Sequence, residues 1–209
     1  MTPPPPPAPA LLPVHLVDDE AAVRDALEFL LSSHGLTVYS YAGGPALLAA
    51  VDCGGLAGCI LLDVRMEPLS GLQVHDELIA RGVQLPVIFL TGHGDIPMAV
   101  DALHKGAFDF VEKPFSDDAL VRRVLRALDA AALRQQSRAA EDELGQRLAS
   151  LSEREREVML RVAAGKLNKV IADELCVSVR TIEVHRARVY DKLSVRSAAE
   201  VASLLARRG

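Results

Sequence analysis

The chain is 209 residues long and 50% of it is hydrophobic, which is enough to build folded cores and argues against wholesale disorder. It carries 23 Lys and Arg against 28 Asp and Glu, and polar residues interrupt its apolar tracts well before the roughly 18 residues that a membrane-spanning helix needs. Its three cysteines form no CxxC pair, which disfavours disulfide scaffolds and common zinc sites.

The first twelve residues are rich in proline and precede the first strand-like run. They contain neither the basic segment nor the apolar segment of a signal peptide. We predict a disordered polyproline leader over residues 1–12, on a protein that works in the cytoplasm.

From residue 13 to residue 130, short apolar runs of strand length alternate with amphipathic patterns of helical period. Since parallel strands need crossover connections, this alternation predicts an α/β domain with a doubly wound, five-stranded parallel sheet. The predicted strands are 14–17, 37–41, 59–62, 87–90 and 108–111, and the predicted helices are 20–33, 44–51, 71–80, 97–105 and one from 117 onward.

The helical pattern that begins at Asp117 continues through a polar stretch, and we interpret residues 131–147 as a helical linker. Ser152, with Glu155 three residues later, predicts a capping box at the start of a new helix. Residues 148–209 contain no strand pattern and are predicted to form a separate all-α domain of four helices. The later helices of this domain are predicted at 168–175, 178–192 and 197–206.

The two predicted domains differ in charge. Residues 151–209 carry 12 Lys and Arg against 8 Asp and Glu, a balance of +4, whereas residues 1–150 carry 11 and 20, a balance of −9. A basic second domain indicates contact with a polyanion, although a solvated charged surface would have the same composition.

Acidic side chains follow two strands of the predicted sheet. Asp18 and Asp19 come directly after the first strand, and Asp63 comes directly after the third. The carboxyl ends of parallel strands share one edge, so the three carboxylates are expected to converge on one pocket. Such convergence favours a hard divalent cation, Mg²⁺ or Mn²⁺.

The next two strands bring a hydroxyl, Thr91, and an ammonium, Lys113, to the same edge. These groups together are those that an aspartyl phosphate requires. Asp63 would attack phosphorus, a cation held by Asp19 and Asp63 would neutralise the phosphoryl oxygens, and Lys113 and Thr91 would bind one oxygen each. A single acid at such a position could be an ordinary solvated loop residue, but five groups at correct strand ends are poorly explained by chance.

In the second domain, the patterns at 169–175 and 178–192, separated by a short connection, have the proportions of a helix-turn-helix motif. The second helix of such a motif lies in the major groove of DNA. Donors and one acceptor follow each other along this helix, and Ile182, Val189 and Leu193 give it an inward apolar face.

The segments VDDE at 17–20, LDVRM at 62–66, LTGHG at 90–94 and FVEKPF at 110–115 resemble the receiver domain of two-component response regulators, in particular the NarL/FixJ family. The resemblance implies that a sensor histidine kinase phosphorylates Asp63, that Asp18 and Asp19 form the acid pocket, and that the backbone carbonyl of Arg65 is a metal ligand. It further implies a switch formed by Thr91 and Phe110, a cis peptide bond before Pro114, dimerisation on phosphorylation and RNA polymerase as a partner. In this family the domain is no enzyme beyond phosphoryl transfer to, and hydrolysis from, its own aspartate.

The segments LSEREREV at 151–158, NKVIA at 168–172, RTIEVHR at 180–186 and KL at 192–193 resemble the LuxR-type DNA-binding domain. The resemblance implies binding to double-stranded promoter DNA, with the last helix as a dimer contact or as part of the core. His185 could contact DNA or pack against the scaffold helix. The implied phosphate contacts are Lys169, Arg180, Thr181 and Arg186, and the candidates for base edges are Glu183, Val184, Ala187 and Arg188.

One position departs from the receiver pattern. After Met66 the family usually has Pro and then Gly, whereas this chain has Glu67 and then Pro68. We expect Glu67 to alter the affinity for the metal or the lifetime of the phosphoryl group.

Two other classes of function stay open from the sequence. A phosphatase of the haloacid-dehalogenase type also forms an aspartyl phosphate, but it carries a DxD arrangement after its first strand, where this chain has adjacent Asp18 and Asp19. An adaptor whose helical domain binds protein instead of DNA would lack the salt-dependent binding that phosphate contacts cause.

Overall fold

The computed structural model describes residues 12–92 and 96–206, with the side chains of residues 96–99 outside the description. Apart from Leu12, the predicted leader lies outside the described residues. The chain divides into two compact units, residues 1–135 and 136–209, so each is described by itself. Among the helices within the described ranges, none is both long and apolar enough to cross a membrane.

The first unit is a five-stranded sheet in which every neighbouring pair of strands is parallel, in the order β2-β1-β3-β4-β5. The predicted doubly wound α/β fold is therefore confirmed. Its elements are β1 (Val14–Val17), α1 (Ala21–Ser33), β2 (Val38–Tyr41), α2 (Gly44–Asp52), β3 (Cys59–Asp63), α3 (Gly71–Ala80), β4 (Val87–Thr91), α4 (Ile96–His104), β5 (Asp109–Glu112) and the beginning of α5 (Asp117–Ala149).

The alternation of side chains along β3 builds a core on each face of the sheet. Cys59 and Leu61 pack in one buried cluster with residues of α1 and α5. Ile60 and Leu62 pack in the other, with residues of α2 and α3. Since both faces of β3 are covered, its run of apolar residues is continuous, as expected for a central parallel strand.

The ends of the strands differ from the sequence prediction by one residue. Asp63 and Thr91 are the last residues of β3 and β4, because Asp63 is in register with Leu90 and Thr91 with Glu112. The pairing of neighbouring strands, which apolar periodicity does not report, sets these limits. Both side chains are consequently fixed by the sheet and do not lie in a loop.

The second unit is all helical. The long helix α5 ends at Ala149 and is followed by α6 (Glu153–Ala163), α7 (Asn168–Glu174), α8 (Val179–Leu193) and α9 (Ala198–Ala206). The predicted capping box is confirmed: the Ser152 hydroxyl accepts from the Glu155 N–H, and the Glu155 carboxylate accepts from the Ser152 N–H. A core drawn from all of these helices includes Val158, Ile171 and Val189.

Candidate functional site

The carboxyl ends of β1, β3 and β5 bring three charged side chains together. Asp18 follows β1, Asp63 ends β3, and Lys113 follows β5. In the sheet β1 lies between β2 and β3, and the order of the strands reverses between β1 and β3. The cluster therefore lies at the topological switch point, where doubly wound sheets bind their ligands.

One ammonium serves two carboxylates in this cluster. The Lys113 Nζ atom lies 2.6 Å from Asp63 Oδ1 and 3.4 Å from Asp18 Oδ2. Asp18 is 1% exposed and Asp63 is 7% exposed. Two buried carboxylates with one ammonium leave the pocket with an excess of negative charge, which is costly in a region of low dielectric constant.

The pKa values of the pair reflect this arrangement. Burial raises the pKa of the Asp63 carboxyl above its usual value, and the hydrogen bond and charge of Lys113 offset this only in part. Burial acts to lower the pKa of Lys113, but the hydrogen bond to Asp63 and the charges of both carboxylates outweigh it and raise that pKa. A shifted carboxylate beside a fixed cation is typical of a reactive group.

Backbone and side-chain donors hold the carboxylates in place. The Arg65 N–H donates to Asp63 Oδ2 at 2.7 Å, and the Glu20 N–H donates to Asp18 Oδ1 at 2.9 Å. Sequence reasoning missed Arg24, whose guanidinium donates to the Asp18 carbonyl oxygen at 2.8 Å. Arg24 lies one turn into the helix that follows Asp18 and Asp19, and this position is the sequence signal that could have identified it.

A second residue that sequence reasoning missed is Gly71, the first residue of α3. A β-carbon at this position would lie 2.1 Å from the carbonyl oxygen of Asp63, so only glycine lets the helix start against the end of β3. The Ser70 cap and its partner Gln73 fix the same helix start. A glycine directly after a capping serine is the sequence signal for this close approach.

Thr91 and Phe110 lie on the neighbouring strands β4 and β5. Thr91 is fully buried, and its hydroxyl oxygen has no hydrogen-bond partner within the described part of the chain. Phe110 is half-buried and packs against the cluster on the α2 and α3 side of the sheet. The expected cis peptide bond between Lys113 and Pro114 is present.

The fit of the pocket to a divalent cation follows from its donors. Asp19 is exposed, and its Oδ2 accepts from the Glu67 N–H at 3.3 Å. Across residues 12–92 and 96–206, no three His, Cys, Asp or Glu side chains are already grouped as a metal site. Nevertheless, the hard carboxylate oxygens of Asp18, Asp19 and Asp63 and the excess negative charge suit Mg²⁺, so the donor set fits.

In the second unit, α8 presents one exposed face. Arg180, Glu183, Val184, Ala187 and Arg188 are all exposed and recur at the three- and four-residue spacing of a single helix face. The opposite side of the helix is buried in the core of the unit. This face combines two cations, one acceptor and small apolar groups, which is a suitable set for contacting phosphates and base edges.

Of the other DNA-contact candidates, three have partners within the protein or are partly buried. The Thr181 hydroxyl lies 2.8 Å from that of Ser178, and the Arg186 guanidinium donates to Asn168 Oδ1 and to the Tyr190 hydroxyl, each at 2.6 Å. His185 is half-buried with an Nδ1 atom that has no partner among the described residues. Lys169 on α7 is exposed.

Comparisons with known proteins match both units. Residues 14–125 match the response regulator receiver domain, and residues 149–205 match the bacterial regulatory proteins of the luxR family. The chain is 46% identical over 194 residues to the transcriptional regulatory protein FixJ of Azorhizobium caulinodans, covering 92% of this chain and 91% of that protein. It is 48% identical over 196 residues to the C4-dicarboxylate transport transcriptional regulatory protein DctR of Rhodobacter capsulatus, covering 91% and 98%.

Solved structures agree. The response regulator StyR superposes with a TM-score of 0.87 at 37% identity, covering 94% of this chain and 99% of StyR. Full-length FixJ from B. japonicum gives a TM-score of 0.59 at 42% identity, covering 94% and 96%.

Proposed function

Because the chain belongs to the response regulators that join a receiver domain to a LuxR-type DNA-binding domain, we propose that phosphorylation of Asp63 controls its binding to promoter DNA. As a member of this family it is a DNA-binding transcriptional regulator of a two-component system. The phosphatase and adaptor alternatives are set aside, since neither accounts for both matches. The observation that carries the proposal is the buried Asp63 carboxylate held 2.6 Å from the Lys113 ammonium at the switch point of the sheet.

The chemical step that we propose is a displacement at phosphorus. A carboxylate oxygen of Asp63 forms a bond to phosphorus while the bond from phosphorus to the donor breaks, and the leaving group, a kinase histidine, takes the electron pair. Lys113 is already placed to bind a phosphoryl oxygen, and a Mg²⁺ ion bound by the acid pocket would supply further neutralisation of the phosphoryl charge. Hydrolysis reverses the modification when water attacks the phosphorus and the bond to Asp63 breaks.

The proposed signal starts at Thr91. A phosphoryl group brings an additional charge of about −1.5 to −2 and three acceptor oxygens to the pocket. The Thr91 hydroxyl has no partner among the described residues and would become a donor to one of these oxygens. Movement of Thr91 would free space for Phe110 and change the surface formed by α4, β5 and α5, through which we propose that two copies dimerise.

The proposed output is binding of α8 in the major groove. The exposed side chains from Glu183 to Arg188 on α8 support base contacts, and the exposed Lys169 and Arg180 support phosphate contacts. We place RNA polymerase and a sensor histidine kinase among the partners, and the cytoplasm, where promoter DNA lies, as the site of action.

The first test is phosphorylation of the full chain. Wild-type protein and Asp63→Asn are incubated with Mg²⁺ and acetyl phosphate, and their intact masses and sedimentation are measured. We expect a phosphoryl mass gain and dimer formation in the wild type alone. An equal mass gain in Asp63→Asn would show that another residue is the acceptor.

The second test concerns DNA. Affinity for duplex DNA is measured over a range of salt concentrations, and phosphate contacts predict a negative slope of log affinity on log salt. Binding that is absent, or that is insensitive to salt, would contradict the proposed output.

A further inference from the structure

The carboxylate of Asp19 is held from a second loop of the receiver unit. Asp19 lies in the connection between β1 and α1, and Glu67 lies in the connection between β3 and α3. The backbone N–H of Glu67 donates to Asp19 Oδ2 at 3.3 Å, across 48 positions in sequence. The contact therefore joins the two loops that carry the acid pocket.

The identity of residue 67 decides whether this contact can exist. Every residue except proline has a backbone N–H, and the ring of proline removes it. In this chain the proline follows at position 68, so Glu67 keeps its donor.

We propose that the backbone N–H of Glu67 positions Asp19 for a divalent cation in the acid pocket, an inference that rests on the proposed function of that pocket. Glu67 acts through Asp19 and is a positioning residue. In this proposal the backbone N–H of Glu67 holds Asp19, and the side-chain carboxylate of Glu67 does not contribute to positioning it.

The physical reason is preorganisation. Asp19 is exposed, and an exposed side chain samples several rotamers that cation binding must reduce to one. A hydrogen bond to an ionised carboxylate restricts that sampling before the cation arrives. For one long, solvent-facing hydrogen bond we expect a change of about three- to tenfold in cation affinity.

The test compares two substitutions at one position. Glu67→Ala removes the carboxylate and keeps the N–H, whereas Glu67→Pro removes both. Mg²⁺ affinity is measured by calorimetry on full-length, unphosphorylated protein. We expect Glu67→Ala to bind Mg²⁺ within about twofold of the wild type, and Glu67→Pro to bind it about three- to tenfold more weakly than Glu67→Ala.

A double-mutant cycle separates positioning from a general disturbance of the loop. In an Asp19→Ala background the difference between Ala and Pro at position 67 should vanish, because the acceptor of the hydrogen bond is absent. A thermal unfolding curve for each variant establishes that it is folded. Equal Mg²⁺ affinities for Glu67→Ala and Glu67→Pro overturn the inference, and so does a difference between them that persists in the Asp19→Ala background.

The outcome is independent of phosphorylation. If Asp63 takes up phosphate while the two variants bind Mg²⁺ equally, the proposed function stands and the role of Glu67 is wrong. If the variants differ as expected but Asp63 takes up no phosphate, Glu67 positions a metal ligand and the proposed function is wrong. A wild-type protein that binds no Mg²⁺ would overturn the role of Glu67 directly.

Discussion

Both units contain a buried carboxylate paired with a lysine, and the two pairs differ in how well they are satisfied. In the receiver unit, Lys113 serves both Asp63 and Asp18, and burial raises the pKa of Asp63. In the helical unit, Lys192 Nζ lies 2.7 Å from Glu155 Oε2, and this hydrogen bond, together with that from the Ser152 N–H, lowers the pKa of Glu155.

The difference separates a site from a scaffold. The Glu155 carboxylate has a cation and a backbone donor, and Lys192 also donates to the Ser150 carbonyl oxygen at 2.9 Å. The receiver pocket keeps an excess of negative charge and, in Thr91, a buried hydroxyl without a partner among the described residues. Groups left incompletely satisfied in the folded protein are the groups that a phosphoryl group and a cation can complete.

The largest effect is expected from a substitution that breaks the pair of Asp63 and Lys113 in the receiver unit. Lys113→Met keeps an unbranched side chain, shorter by one heavy atom, and removes its charge. We expect phosphoryl transfer from acetyl phosphate to Asp63 to slow by about 100-fold or more, because a donor to the developing charge is lost. The measurement is the rate of phosphoryl mass gain.

Lys105→Met is the matched control for this variant. Lys105 pairs with Asp76 at the surface of the same unit, so its loss should leave the rate nearly unchanged. Equal rates for Lys113→Met and wild type would contradict the role of Lys113.

The next largest effect is expected from a substitution that breaks the pair of Glu155 and Lys192 in the helical unit. Lys192→Met leaves the buried Glu155 carboxylate without its cation, and we expect the helical unit to lose about 1–3 kcal/mol of stability. Chemical denaturation of the full chain, followed by circular dichroism, gives the free energy of unfolding, and phosphorylation of Asp63 should be unaffected.

Lys166→Met is the control, because Lys166 pairs with Glu174 in an exposed position. Its effect on stability should be much smaller. Equal free energies of unfolding for the two variants would contradict a stabilising role for the pair of Glu155 and Lys192.

Smaller effects are expected from substitutions on the exposed face of α8, which test whether these side chains bind DNA without contributing to the stability of the helical unit. Arg188→Ala should weaken binding to a preferred DNA site by about tenfold and relax its sequence preference, if Arg188 reads a base. Arg180→Ala should weaken binding to all sequences and make the salt slope less steep by about one. Competition binding with specific and random duplexes distinguishes the two. A loss of helical stability in either variant would show that these side chains serve the fold instead.

The sequence predicted two kinds of feature: those that follow the periodicity of a helix or strand, and those that lie at the end of one. The two core faces of β3 follow from its continuous apolar run, and the pocket residues Asp18, Asp63 and Lys113 follow from the places where apolar runs stop. The capping box at Ser152 follows from a local hydrogen-bond pattern. In each case the physical cause lies in residues that are near one another in the sequence, so the feature can be predicted from the sequence alone.

Contacts between distant segments could not be predicted in this way. The bond from the Glu67 N–H to Asp19 spans 48 positions in sequence and uses a backbone donor that every residue but proline has. The engagement of Arg186 by Asn168 and Tyr190 likewise depends on how α7 and α8 pack. These features require the approach of elements in space, which a single sequence does not report.

The smallest expected effect concerns His75 on α3, a buried polar group of the receiver unit outside the acid pocket. It is 4% exposed, packs edge-on against Phe89 at 5.4 Å, and its Nδ1 atom has no partner among the described residues. We expect His75→Leu to stabilise the unit by about 1 kcal/mol at pH 8, because an unsatisfied buried group is removed.

Burial lowers the pKa of His75, so the folded protein binds fewer protons than the unfolded chain once the pH falls below about 6.5. The stability of the folded protein is therefore lost as the pH falls further. The advantage of His75→Leu should therefore be larger at pH 5 than at pH 8 in urea unfolding, while the exposed His104→Gln serves as the control. An advantage that does not change with pH would mean that His75 binds protons equally in the folded and unfolded states, and would contradict the effect of burial on its pKa.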